Sequence, residues 1–275
     1  LSLCALKGWL GQADAPAALV RPDIIAAFGQ DHVERNLSSV TIHTRVENIL
    51  RMARILDPTR DLEWLREIAL DLEDRAHPRS KAHRIVDSAR LYAAGLGLMR
   101  RAECSTNLTD LRRARLFRDG LMIALLTVCP IRLGNFARLQ IGQQIRRERD
   151  AWWIVLESSE TKSRRPDERP IPDELTGNID RWVDHWRSFF LEPGSAFWAS
   201  TKGGNLAYTY VGTAVAAITL RELGVAINPH AFRDCLVFSI AIRTGEMGIA
   251  SAALQHTDPR TTEKHYNKGR MIEAA

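Results

Sequence analysis

The apolar residues Val40, Ile42, Val46, Ile49, Leu50, Ala53 and Leu56 recur at helical spacing, which predicts an amphipathic helix over 40–56. Arg45, Arg51 and Arg54 fill intervening positions and give that helix a basic flank. Asp57-Pro58 stops it, a second helical pattern covers 62–72, and after His77-Pro78 a third covers about 80–99. The polar stretch 99–109 breaks the periodicity and offers Asn107 and Thr109 as helix caps. A domain boundary is expected there, giving a helical bundle over 1–104 and a second domain over 105–275.

Residues 111–129 predict a long helix that becomes strongly apolar and ends at Pro130, which leaves Arg132 at a turn between two helices. The run Ala-Trp-Trp-Ile-Val-Leu-Glu at 151–157 is rich in β-branched and aromatic residues. It precedes a polar stretch, 158–169, and then Pro170-Ile171-Pro172, so a small β-hairpin with a basic tip is expected. Helical patterns follow over 173–190, 208–223, 229–243, 248–254 and 259–266. The fold class is mainly α with a small β-hairpin or sheet.

Length and composition support two folded domains: the chain has 275 residues against roughly 100 to 200 per domain. Hydrophobic residues make up 45% and charged residues 26%, enough apolar content for a buried core. The net charge of +5 comes mostly from arginine, whose planar fork matches phosphate oxygens, so a polyanionic partner is one to consider. Cys4, Cys104, Cys129 and Cys235 are far apart and form no CxxC pair, which indicates reduced thiols and neither a zinc site nor a disulfide scaffold. No apolar run approaches the ~18 residues of a membrane span. A cytoplasmic protein is expected, and the start at Leu1 leaves room for a trimmed upstream segment.

The most informative segment is Asn228-Pro229-His230-Ala231-Phe232-Arg233-Asp234, a HxxR pattern at a helix start. Residues three apart on a helix share a face, so His230 and Arg233 can address one ligand. The pattern stands in a longer order: Arg132 after an apolar helix, Lys162 in the hairpin, HxxR, His256 after another apolar helix, and Tyr266 soon after. That order, with the segments CPIRLGNFARL and LQHTDPRTTEKHY, resembles the catalytic domain of the tyrosine recombinase (phage integrase) family over about 111–266.

The resemblance implies that Arg132 and Arg233 clamp a phosphate, that Lys162 is the hairpin lysine, and that His230 is the first residue of the HxxR motif. It further implies that His256 fills a position held by His or Trp, that Tyr266 is the nucleophile, and that the first domain is a core-binding domain closing a clamp around the duplex. The implied partners are double-stranded DNA and further copies of the chain in a homo-tetramer at synapsis, with accessory proteins left open. No cofactor and no metal are implied. Three positions depart from the family pattern: Asp234 follows the HxxR arginine where a histidine is common, Gln255 replaces a glycine, and Asn135 replaces a frequent acidic residue.

The residue types suit phosphoryl chemistry. Extra negative charge develops on the nonbridging oxygens during transesterification, and preorganised arginines stabilise it bidentately. A tyrosine with an ordinary pKa near 10 needs a proton acceptor to attack at neutral pH, for which His230 is the candidate. Lys162 would protonate the departing 5′ hydroxyl and His256 would donate to a phosphate oxygen. Plainer readings stay open. Arg132 equally suits a cap on the preceding helix; Arg164 and Arg165 compete with Lys162; His256 and Tyr266 equally suit partly buried structural positions. Cys235 is a candidate nucleophile or a buried helix residue. At the level of function, a noncatalytic DNA-binding protein and a type IB topoisomerase-like nicking and resealing enzyme are the alternatives.

Overall fold

A computed structural model describes residues 20–79 and 82–244. The chain divides into two compact units, Leu1–Ser80 and Lys81–Ala275.

The first unit is helical: α1 (Pro22–Glu34), α2 (Ser39–Leu56) and α3 (Glu63–Asp74). Pro22 opens α1, where its missing N–H costs nothing. Ser38 caps α2 by accepting a hydrogen bond from Thr41 N at 3.1 Å. Ile24, Ile25 and Phe28 of α1, Val46, Ile49, Leu50 and Ala53 of α2, and Leu65 and Ala69 of α3 form one apolar core. The expected basic flank of α2 is partly engaged within the unit, since Arg51 pairs with Glu47 and Arg45 meets the buried His32.

In the second unit a 3-10 turn (Ala82–Arg84) precedes α4 (Ser88–Cys104), α5 (Asp110–Val128) and the short α6 (Leu133–Ala137). Three strands follow, β1 (Ile145–Glu148), β2 (Ala151–Leu156) and β3 (Asp167–Pro170), and then α7 (Asp173–Asp184), a 3-10 turn (Trp186–Phe189), α8 (Tyr208–Leu223) and α9 (Ala231–Thr244). The sheet is antiparallel with order β1-β2-β3. The expected hairpin is therefore the β2–β3 pair, with one extra strand. Ile-Arg-Arg-Glu in β1 buries only Ile145, so it carries no readable alternation.

Helix α5 is the spine of this unit. Almost its whole circumference from Phe117 to Thr127 is buried, as expected for a helix covered on all sides. Thr109 caps it from Arg112 N at 3.4 Å. Helix α4 was expected in the first domain, yet Leu91, Leu98, Met99 and Ala102 belong to the same core as α5. The polar residues around 105 are the loop of a helical hairpin: Arg113 Nε and Nη2 donate to the carbonyls of Ala102 and Glu103 at 2.9 and 3.1 Å. The hairpin is tight because Gly95 and Gly120 face each other; a Cβ on Gly120 would lie 2.6 Å from the Gly95 carbonyl oxygen.

Two buried tryptophans fasten the layers. Trp182 Nε1 donates to Phe197 O at 2.9 Å, and Trp198 Nε1 donates to Phe136 O in α6 at 2.7 Å. Helix α8 matches its expected bounds and ends at Gly224, whose φ of 75° is the left-handed stop that glycine adopts freely. The helices expected over 248–254 and 259–266 lie outside the described residues.

A candidate phosphate-binding recess

Pro130 ends α5, and the chain turns through Ile131 into Arg132, which stands at the N-cap of α6 in extended conformation (φ −63°, ψ 140°) without capping by its side chain. The α5 terminus is closed instead by the Cys129 N–H bonding Leu125 O at 2.8 Å. Arg132 is exposed and lines a recess in the second unit.

Arg233 reaches the same recess from the first turn of α9. Its Nη1 donates to Pro130 O at 2.8 Å, which ties the start of α9 to the turn that carries Arg132. Burial, reinforced by the cations of Arg169 and Arg132, pushes the Arg233 guanidinium well below its ordinary value, to about 10. It stays protonated at neutral pH, but in a setting that favours an anion.

The third wall comes from the strands. Asp167 and Arg169 are two apart on β3 and so point to one face, opposite Leu156 and Ile154 of β2 in the register. Asp167 is 7% exposed, and it grips Arg169 bidentately, Nε to Oδ1 at 2.7 Å and Nη2 to Oδ2 at 2.8 Å. Glu168 between them is exposed. The β2–β3 connection is folded on itself by the buried Thr161, whose hydroxyl accepts from Arg165 N at 3.1 Å and donates to Arg165 O at 2.6 Å. Asn135 of α6 holds this connection by donating from Nδ2 to Glu160 O at 3.1 Å. Three guanidiniums and one carboxylate thus converge on one small polar depression, an arrangement suited to a phosphate.

Of the residues singled out from the sequence, Arg132 and Arg233 are brought together. Lys162 is exposed on the β2–β3 connection between Thr161 and Ser163, both of which line the recess while Lys162 does not. His230 precedes α9 and lines a separate depression with Arg84, Asn228 and Asp234. His256 and Tyr266 lie outside the described residues. Cys235 is buried; its thiol bonds Val86 N at 3.4 Å and is pushed up to about 11 by burial, so it is held as a thiol at neutral pH. Among the described residues no group of three or more His, Cys, Asp or Glu side chains could hold a metal ion. No described helix is long and apolar enough to cross a membrane.

Asp167 and Arg169 were not anticipated. Their signal was the Asp-x-Arg alternation immediately before Pro170-Ile171-Pro172, which a strand would place on one face.

Residues 101–271 match the model of the phage integrase family. The chain belongs to the phage integrase family. The fold of this chain recurs in solved structures of tyrosine recombinases. The integrase of the Tn1549 transposon, in complex with transposon right-end DNA, is 14% identical with a TM-score of 0.61, covering 95% of this chain and 86% of that one. The XerH recombinase bound to its difH substrate before cleavage is 13% identical with a TM-score of 0.52, covering 84% and 67%. The XerA recombinase is 12% identical with a TM-score of 0.51, covering 99% and 88%. At these identities the likeness is one of fold. No curated protein sequence matches the chain. Within the phage integrase family match lie the arginine-lined recess, Lys162, the HxxR turn, His256 and Tyr266.

Proposed function

We propose that the chain is a site-specific DNA recombinase that cuts and rejoins strands through a 3′-phosphotyrosine at Tyr266. The observation that carries this reading is the convergence of Arg132 and Arg233 on one recess from two helix starts, within a chain of the phage integrase family. A DNA phosphate seated there would meet preorganised donors where negative charge grows during reaction, the setting in which such donors are worth most.

In the proposed step the Tyr266 oxygen attacks phosphorus and the bond from phosphorus to the 5′ oxygen breaks. His230 takes the tyrosyl proton, Lys162 gives a proton to the departing 5′ oxygen to make the 5′ hydroxyl, and His256 donates a hydrogen bond to a phosphate oxygen. The exposed connection that carries Lys162 lies at the rim of the recess, adjoining Thr161 and Ser163. The reverse reaction on a second 5′ hydroxyl rejoins the strand without an external energy source, because the phosphotyrosyl ester retains the bond. Exchange between two duplexes calls for four protomers on DNA.

A suicide-substrate assay tests the reading. Nicked duplex bearing the recognised site, recovered by selection from a random duplex pool, is incubated with the protein and resolved on a denaturing gel. A covalent protein–DNA adduct formed by the wild type and absent from Tyr266→Phe is the expected result. Duplex binding without any adduct from the wild type would instead favour a noncatalytic DNA-binding protein. Cleavage and resealing of one duplex, with no exchange between two, would favour topoisomerase-like nicking.

A further inference from the structure

We infer that Arg169 is a third phosphate-contacting guanidinium of the recess, and that Asp167 is the positioning residue that aims it. The inference rests on the reading of the recess as the site of DNA cleavage.

Geometry sets Arg169 apart from an ordinary surface ion pair. Its side chain is 12% exposed and that of Asp167 10%, and the two-point grip fixes the plane of the guanidinium as a single contact would not. The β3 alternation turns both groups toward Arg132 and Arg233, while Glu168 faces away. A pair serving only to fasten β3 would have no reason to bring a third cation beside two others. Like charges gathered in a partly dry depression repel, and the effect registers on Arg233, whose proton affinity is lowered by Arg169 and Arg132 after burial itself. That repulsion is relieved when an anion enters. Among the described residues one carboxylate meets three guanidiniums in the recess, a cationic balance, and Asp167 gives orientation to the arginine with which it is paired.

Asp167 also stands near the position left without an acidic group at Asn135. Both residues line the recess, and Asn135 spends its amide on the Glu160 carbonyl. The carboxylate that lines the recess, paired with Arg169, is thus supplied from β3.

The test uses single-turnover cleavage of nicked suicide duplexes by the full chain, with two versions of the scissile group. One is the natural phosphodiester; the other is a methylphosphonate, in which a methyl replaces a charged nonbridging oxygen. Arg169→Gln is expected to slow cleavage of the phosphodiester by about 100-fold, the scale for losing one preorganised donor. The deficit should shrink to within a few-fold on the methylphosphonate, which is uncharged in the ground state and gathers charge on a single nonbridging oxygen in the transition state, so that less charge is left for the lost cation to stabilise. A fold defect would slow both substrates alike, and equal slowing overturns the proposal, as does a wild-type rate on the phosphodiester. The double variant Asp167→Asn/Arg169→Gln removes both charges and leaves neither buried alone; it should remain slow on the phosphodiester, and a wild-type rate there would likewise refute the assignment. Asp167→Asn alone is expected to lower the rate at saturating DNA without raising the half-saturating DNA concentration. Arg132→Gln and Arg233→Gln separate the two levels of argument. If both abolish cleavage and Arg169→Gln does not, only this inference falls. If neither matters, the recess is not the cleavage site and the underlying reading falls with it.

Discussion

Replacing Arg233 by methionine separates what the recess costs the free protein from what it gains with DNA. The guanidinium is lowered well below its ordinary value, to about 10, and at 1.36 kcal/mol per pKa unit the protonated form is disfavoured in the folded state by on the order of 3 kcal/mol. Methionine keeps much of the aliphatic stem and removes the charge. Against this stands the bond to Pro130 O at 2.8 Å, whose loss costs about 1 kcal/mol, or up to about 3 if the carbonyl is left dry. The variant should therefore be as stable as the wild type or more stable by up to about 2 kcal/mol, whereas breaking a buried ion pair ordinarily costs about 3–5 kcal/mol. Urea unfolding of the DNA-free protein measures this, and a loss above about 2 kcal/mol would refute the crowding of cations. The pH dependence has a definite sign. A folded pKa below the unfolded one means the folded state binds fewer protons, so the penalty is complete below about pH 10 and relaxes as pH rises toward the unfolded value. The advantage of Arg233→Met should be constant from neutral pH to about 9 and narrow above about 10. With DNA the order reverses: the wild type gains stability from an anion in the recess, and the methionine variant forms no adduct.

Other expectations follow from the same contacts. Gly95→Ala and Gly120→Ala should each destabilise by about 2–3 kcal/mol in urea unfolding, because the added Cβ meets backbone atoms at 2.8 and 2.6 Å, although alanine is the better helix former by about 1 kcal/mol; unchanged midpoints would contradict the tight α4–α5 crossing. Asn135→Asp should lower stability by about 1–3 kcal/mol and slow cleavage, since an ionised carboxylate cannot donate to the Glu160 carbonyl; a wild-type urea midpoint would show that bond to be dispensable. Duplex affinity should fall linearly with log salt, with a slope of roughly −0.9 per phosphate contact, and Arg132→Gln should reduce the slope by about one; a flat dependence would rule out binding through phosphates.

Legibility in the sequence followed burial. Helix α8 was readable to the residue and α5 nearly so, because one ends at a clear glycine stop and the other carries a long apolar run. Order along the chain singled out Arg132 and Arg233, and the structure sets both on one recess. Helix α4 packs on α5 in the second unit, whereas the polar connection after Cys104 reads in sequence as a linker. Strand β1, with two arginines and a glutamate in four residues, has no apolar alternation to find; it exists because β2 supplies the ladder.

The Asp167–Arg169 pair escaped for a different reason, and it bears on how such sites are built. In a polar stretch with the six charged residues Lys162, Arg164, Arg165, Asp167, Glu168 and Arg169, nothing local distinguishes a charge facing solvent from one facing a recess. The distinction comes from register: Leu156 opposite Asp167 and Ile154 opposite Arg169 are buried, so the same pleat that hides two aliphatic side chains on β2 turns the carboxylate and guanidinium inward on β3. Slipping β3 by one residue would exchange Arg169 for Glu168 at the recess and replace a cation with an anion. The identity of the charge presented to a phosphate is thus set by the hydrophobic pattern of the neighbouring strand. A substitution of Ile154 or Leu156 that loosens the register should consequently impair cleavage without touching any charged group.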